Sequence, residues 1–257
     1  MSIRACRFLF SRCLALLLIA VMVLLAPALA DAQGGPSSPV ATPASATPVA
    51  GPGDTDPALY ASVLPDQRDA VMADTAGRLS RYRVEATLTP VIGDQLARID
   101  GTVDLLYVND TGVEQPTLYF RLYPNATEYG DGGMTLGDVT VGDQAVTPTL
   151  SVEETLATIT LPAPVAPDTA IELHLPFQTV IPTDPAASYG MFAYDQASGT
   201  YALAHWLPLL AGIDPDGSWF TGPISVNGDP VFNNFALYDV IVSAPGDLKL
   251  VTSGIQV

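Results

Sequence analysis

From Tyr82 onward the chain alternates apolar and polar residues with a period of two, and it does so in many short runs. Tyr82, Val84, Ala86 and Leu88 fall on one side of an extended backbone, with Arg83, Glu85, Thr87 and Thr89 on the other, because successive strand side chains point to opposite faces. Ile99, Gly101, Val103, Leu105 and Tyr107 repeat the pattern against Asp100, Thr102 and Asp104, and Leu118, Phe120 and Leu122 against Tyr119 and Arg121. Val139 to Val141, Val146 to Val152, Leu156 to Leu161 and the series Ile171, Leu173, Leu175, Phe177 follow, separated by turn residues such as Gly142 with Asp143. After Val180 the pattern loosens through Pro182, Pro185, Gly190 and Gly199, and it returns over Leu237 to Val242 and Leu248 to Thr252. Many short, half-buried strands with polar turns predict an all-β domain, an antiparallel β-sandwich or saddle-like fold. A short helix is expected ahead of it over Pro65 to Ala76, with Pro65 in its first turn, Val71 two turns on from Leu64, and Gly77 as its stop.

The N-terminus follows a different logic. Arg4, Arg7 and Arg12 precede a Leu-rich stretch from Leu14 to Leu25, followed by Ala28, Leu29 and Ala30. That order predicts a secretory signal peptide cleaved after Ala30, and hence a secreted or extracytoplasmic protein. The apolar stretch is shorter than the ~20 residues that a spanning helix needs. Residues 31–58 are dominated by Pro, Ala, Ser, Thr and Gly without apolar periodicity, so a disordered linker or stalk is expected there. The resulting division is a signal peptide at 1–30, the linker at 31–58, a helical lead-in at 59–81 and a β domain at 82–257.

Cys6 and Cys13 both lie in the leader, so the expected mature chain has no disulfide and is held by its core alone. The formal net charge is −17, and cleavage after Ala30 would leave 7 basic against 27 acidic residues, a net −20. Lys249 is the only lysine. Such a surface repels phosphate backbones and anionic headgroups, which argues against nucleic-acid binding and polybasic membrane docking.

Catalytic motifs are scarce. Zinc hydrolysis needs two imidazoles on one helix face with a carboxylate base, written His-Glu-x-x-His, and the only histidines are His174 and His205. His174 falls on the polar face of its strand, where a solvated histidine is expected. His205, followed by Trp206 in an aromatic, Pro-rich run, is placed to touch a ligand or a neighbouring domain, with a packed core histidine as the alternative. His205 and Trp206 are therefore the candidate substrate-binding residues; no catalytic, cofactor-binding or metal-binding residue is expected in this chain. Asp110, Thr111 and Gly112 spell the turn of aspartic proteases, but a single copy lacks the matching second carboxylate, and a hairpin turn is the natural reading. Asp214, Asp216 and Gly217 begin like a calcium loop without the Glu that closes one, which again leaves a turn. Asn109 and Asn125 each open an Asn-x-Thr sequon.

A series of marks over the last 175 or so residues resembles the N-terminal β domain of the M1 family of zinc aminopeptidases, in a bacterial exported version. Tyr82, Val84 and Leu88 look like its opening strand, and Gly101, Val103, Leu105, Tyr107 and Asn109 like the next strand with its Asn turn. Leu122, Tyr123, Pro124 and Asn125 follow, then Leu161 and Pro162 with Phe177 downstream, then Tyr189 with Gly190. The strongest marks come last: Trp206, Leu207 and Pro208; Gly217, Ser218 and Trp219; Gly228, Asp229, Pro230 and Phe232; then Tyr238, Asp239, Val240, Pro245, Thr252 and Gly254. The resemblance implies a non-catalytic domain that walls the active-site cleft, meets the peptide substrate only indirectly, and docks on a catalytic domain that supplies zinc and the general base. That domain's Gly-rich loop, His-Glu-x-x-His helix and further Glu ligand are not in this chain, which implies a truncated product or a partial sequence that does not hydrolyse peptides by itself. The resemblance also implies that one polar residue of this domain helps clamp the substrate amine; no position here matches that residue, the neighbourhood of Ala204 and His205 being the only candidate place, and this departure puts substrate contact in doubt. The alternative is a stand-alone secreted β-sandwich that binds protein or glycan through the loops around Trp206 and Trp219.

Overall fold

The computed structural model describes residues 53–184, 190–225 and 231–255. The expected signal peptide, most of the linker, Tyr189 and the Gly228 to Pro230 mark lie outside the described residues. Thirteen strands are formed among those described, all within the unit Ala44–Val257. In chain order they are β1 (Ser80–Thr89), β2 (Arg98–Val108), β3 (Gln115–Arg121), β4 (Gly133–Leu136), β5 (Val139–Val141), β6 (Gln144–Val146) and β7 (Thr149–Ser151). They continue with β8 (Leu156–Val165), β9 (Ala170–Val180), β10 (Phe192–Asp195), β11 (Thr200–Leu203), β12 (Leu209–Leu210) and β13 (Ala236–Ser243).

One sheet runs β13-β1-β2-β9-β5-β6, with β4 also pairing with β9; a second runs β12-β3-β8-β7; β10 and β11 form a separate hairpin. Both larger sheets contribute to a single apolar cluster, which makes the fold a sandwich-like all-β structure. The period-two reading holds residue by residue in the long strands. Register aligns Tyr82 with Leu105 and Leu105 with Leu173, then Val84 with Val103 and Leu175, then Ala86 with Gly101 and Phe177. From the other sheet Leu118 and Phe120 of β3 pair with Ile159 and Ala157 of β8, and all four are fully buried. Within the third row, a Cβ on Gly101 would lie 2.8 Å from the Phe177 ring and 2.9 Å from the Glu85 carbonyl. Glycine stands there because the aromatic ring occupies the volume of a side chain.

The antiparallel reading holds for every strand pair among the described residues except β1 with β13, which run parallel from Ser80 beside Ala236 to Thr87 beside Ser243. Other expectations need correction. The expected strand Val146 to Val152 is two strands, β6 in the first sheet and β7 in the second, because Pro148 has no N–H to continue a ladder and the chain changes sheet there. Leu248 to Thr252 forms no strand, and Leu250 and Val251 are exposed; apolar alternation makes a strand only where another strand offers hydrogen bonds. The helix spans Arg68–Thr75 rather than Pro65 to Ala76 and buries no residue. Leu64 points into solvent, and a turn closed by the Gln67 N–H on the Leu64 carbonyl precedes the helix. The chain leaves the helix at Ala76, whose ψ is 128°, and Gly77 at φ +77° forms the turn that follows, closed by the Arg78 N–H on the Thr75 carbonyl.

Candidate functional site

His205 follows β11 in a left-handed backbone conformation, φ +58°, which histidine tolerates better than most residues. Its Nδ1 lies 2.8 Å from the Tyr129 hydroxyl, and its ring sits 4.8 Å from that of Tyr123. Tyr129 packs against Phe192 of β10 at 5.6 Å, and burial holds its phenol well above the usual range, with Tyr123 and Glu128 adding to the shift. The Tyr123 hydroxyl lies 3.5 Å from the Asn233 side-chain amide. The imidazole is therefore the partly exposed member of an otherwise buried aromatic cluster that joins the β10–β11 hairpin to the turn after β3. Trp206 turns the other way: its ring lies 6.0 Å from that of Phe177, and its carbonyl accepts a hydrogen bond of 2.9 Å from Thr179 Oγ1. The two candidate residues are adjacent in sequence, yet one reaches the aromatic cluster and the other packs on the sandwich core.

A second cluster gathers around Asn109, which is fully buried. Its Nδ2 donates to the carbonyls of Val113 and Val165, both at 2.8 Å, and its Oδ1 accepts from the Thr111 hydroxyl at 2.7 Å. Gln115 Nε2 donates to Thr111 Oγ1 and to the Gly217 carbonyl, while Gln115 Oε1 accepts from Trp219 Nε1 at 2.8 Å. Trp219 lies 5.6 Å from Tyr119 and 6.3 Å from Tyr107, ring to ring. Asp110, Thr111 and Gly112 thus belong to a turn organised by Asn109, with Gly112 at φ +75°. The same holds for the aspartates downstream: Asp216 Oδ1 accepts from the Ser218 N–H and hydroxyl, and those bonds lower its carboxyl pKa. Both are turns, as the sequence suggests.

The sequons meet a similar fate. Asn109 commits both amide hydrogens internally, and Asn125 Nδ2 donates to the carbonyls of Met134 and Glu154. Neither nitrogen is available to a glycan in this fold. His174 stands on the polar face of β9, opposite Asp104 of β2, with Nδ1 and Oδ1 2.6 Å apart and both side chains about half exposed.

Sequence reasoning missed Arg121, which is buried on β3. Its Nη2 donates to the Phe220 carbonyl at 2.6 Å, and its guanidinium carbon lies 5.4 Å from the Phe220 ring centroid. Burial lowers its pKa, and Nη1 has no hydrogen-bond partner. Its alternation with Phe120 suggested an exposed position; the loop carrying Phe220 covers it. Tyr107 likewise has a buried hydroxyl without a partner. It lines a cleft with Tyr82, Asn233 and Tyr238 that holds about 40 Å³ of water-accessible space, enough for water and far below a small-molecule site. Among the described residues no group of three or more His, Asp or Glu is placed to hold a metal ion.

No family model and no curated protein matches the chain. Solved structures similar to it include the M1 zinc metallopeptidase of Deinococcus radiodurans, at 16% identity and a TM-score of 0.29 over 42% of this chain and 22% of that one. A mutant of the same metallopeptidase bound to a Tyr-Ser-Ala substrate is similar at 17% identity and a TM-score of 0.31, over 51% of this chain and 28% of that one. The chain spans about a quarter of the length of these proteins.

Proposed function

We propose that this chain is the N-terminal β domain of an exported, M1-like zinc metallopeptidase, non-catalytic by itself, which walls one side of the active-site cleft and docks on a catalytic domain that carries zinc. The observation that carries this reading is the way the residues of the resemblance meet in space. Tyr107 and Asn109 share one corner with Gly217 and Trp219. Gly101 underlies Phe177, Phe177 meets Trp206, and Tyr82 stacks on Tyr238. Marks scattered over the sequence are thus mutual packing partners, as the signature of a fold must be. His205 is the residue assigned to the cleft side.

Both tryptophans are partly buried against the domain's own residues, which supports this reading over a stand-alone module that binds through them. Two measurements test the proposal. An in-frame His-Glu-x-x-His encoded beyond Val257 is expected; a stop codon with no such motif in the same transcript sinks it. The purified 257-residue chain is expected to leave aminoacyl anilides intact; cleavage with stoichiometric bound zinc would place the chemistry in this domain and refute the assignment.

A further inference from the structure

We propose that Tyr129 is a positioning residue for His205: its hydroxyl donates to Nδ1 and holds the neutral imidazole with its hydrogen on Nε2, as a donor that meets a carbonyl oxygen and not the substrate amine. The substrate half rests on the peptidase reading, which sets His205 on the cleft side, whereas the tautomer stands without it. Both rings are fixed before they meet. The left-handed backbone of His205 lies between two anchors, the Ala204 N–H on the Met191 carbonyl at 2.8 Å and Thr179 Oγ1 on the Trp206 carbonyl at 2.9 Å. Tyr129 closes the short helical turn Thr127–Tyr129, is buried, and packs on Phe192. Its hydroxyl and Nδ1 then stand 2.8 Å apart, and one hydrogen lies between them.

Which atom supplies that hydrogen follows from what each choice strands. If Nδ1–H donated, the phenol hydrogen would need a second acceptor, and Tyr129 makes no other hydrogen bond among the described residues. A buried hydroxyl hydrogen would then be left unpaired, at the full cost of its desolvation. If the phenol donates, one bond satisfies both groups. Burial, with Tyr123 and Glu128 adding to it, raises the phenol pKa and keeps that hydrogen in place. Nδ1 is thus the acceptor, and the hydrogen of the neutral ring sits on Nε2. Whatever Nε2 meets has to accept. An ammonium group, which has donors only, is mismatched, and a carbonyl oxygen fits. A carboxylate also accepts, but a chain of net charge −17 disfavours an anionic ligand.

The test is nitrogen NMR of the imidazoles in the full chain, where His174→Gln leaves the signals of His205 alone. At about pH 8, where an ordinary imidazole is neutral, the parent is expected to show Nε2 protonated and Nδ1 bare. In Tyr129→Phe, which keeps a ring on Phe192, the minor Nδ1–H form should rise about tenfold. A protonated Nδ1 in the parent, or an unchanged ratio in Tyr129→Phe, overturns the positioning role. The substrate half is read from the Nε2 signal under two probes. N-acetylalanine methylamide, which offers carbonyls without charge, is expected to shift it saturably, and more weakly in Tyr129→Phe. Ethylammonium is expected to leave it in place. A shift with ethylammonium, or none with the blocked alanine, overturns the carbonyl assignment. The two readings fail separately: a stop codon without a zinc motif removes the peptidase and leaves the tautomer, whereas a wrong tautomer removes the role of Tyr129 and leaves the peptidase.

Discussion

At the scale of the residue, the buried polar groups divide into satisfied and unsatisfied ones, and the difference sets their energetic role. Asn109 has both hydrogens and its oxygen engaged, so its amide fixes the turn between β2 and β3 at little desolvation cost. Tyr107 and Arg121 differ, since each buries an atom with no partner. Removing an unpartnered buried hydroxyl relieves a penalty of roughly 1 kcal/mol or more. Tyr107→Phe is therefore expected to leave stability unchanged or raise it by about 1 kcal/mol in urea unfolding. A clear loss of stability would mean that the hydroxyl is hydrogen-bonded in solution. Arg121 is not equivalent: its other nitrogen holds the Phe220 carbonyl and its plane lies against the Phe220 ring, so truncation would remove packing as well as charge.

At the scale of the element, Phe177 of β9 fits closely over Gly101 of β2. Gly101→Val forces a branched side chain into the ring's volume and is expected to cost about 1–3 kcal/mol. Part of that loss should return when Phe177→Leu is added, as a double-mutant cycle by chemical denaturation would measure; strictly additive losses would contradict the contact. Strands of this kind were legible in the sequence because one face is buried and the other wet, which writes a period of two into β1, β2 and β9. The hairpin of β10 and β11 was not read, although Phe192, Tyr194, Tyr201 and Leu203 flank a turn with Gly199 at φ +68°. Its two strands have four residues each, too few for alternation to stand out from composition. His205 was legible as a candidate by elimination, whereas its partner Tyr129 was not, since a contact across 76 residues leaves no local pattern. Arg121 was hidden for a related reason: alternation reports which face a residue is on, and a loop from elsewhere in the chain covered that face.

For the whole molecule, the absence of cysteine beyond Cys13 leaves stability to the shared core and to the neutral state of the tyrosines inside it. Burial raises the phenol pKa values of Tyr82, Tyr107 and Tyr129; at Tyr82 the neighbouring Tyr238 adds to the rise and the Leu210 N–H bond opposes it. The sign follows directly. A phenol whose folded pKa exceeds its unfolded value contributes stability that is complete below the unfolded value, near pH 10, and is lost as pH rises from there toward the folded value. Alkaline titration is therefore expected to leave these three rings un-ionised at about pH 10.5 while exposed tyrosines ionise. Their phenolate absorbance should then appear together with loss of circular dichroism in one unfolding step. Smooth ionisation of every tyrosine with the fold intact would show that the rings are accessible.

The parallel pairing of β1 with β13 also sets a timetable. Strands separated by roughly 150 residues must meet before the larger sheet is complete, and closing a loop of that length comes late and slowly on the folding route. A chain emerging from a ribosome has all of β1 through β12 available while the outer neighbour of β1 is still missing. Until β13 emerges, the inner row of Tyr82, Val84 and Ala86 ends at an open margin, so the growing chain stays incompletely folded through most of its synthesis.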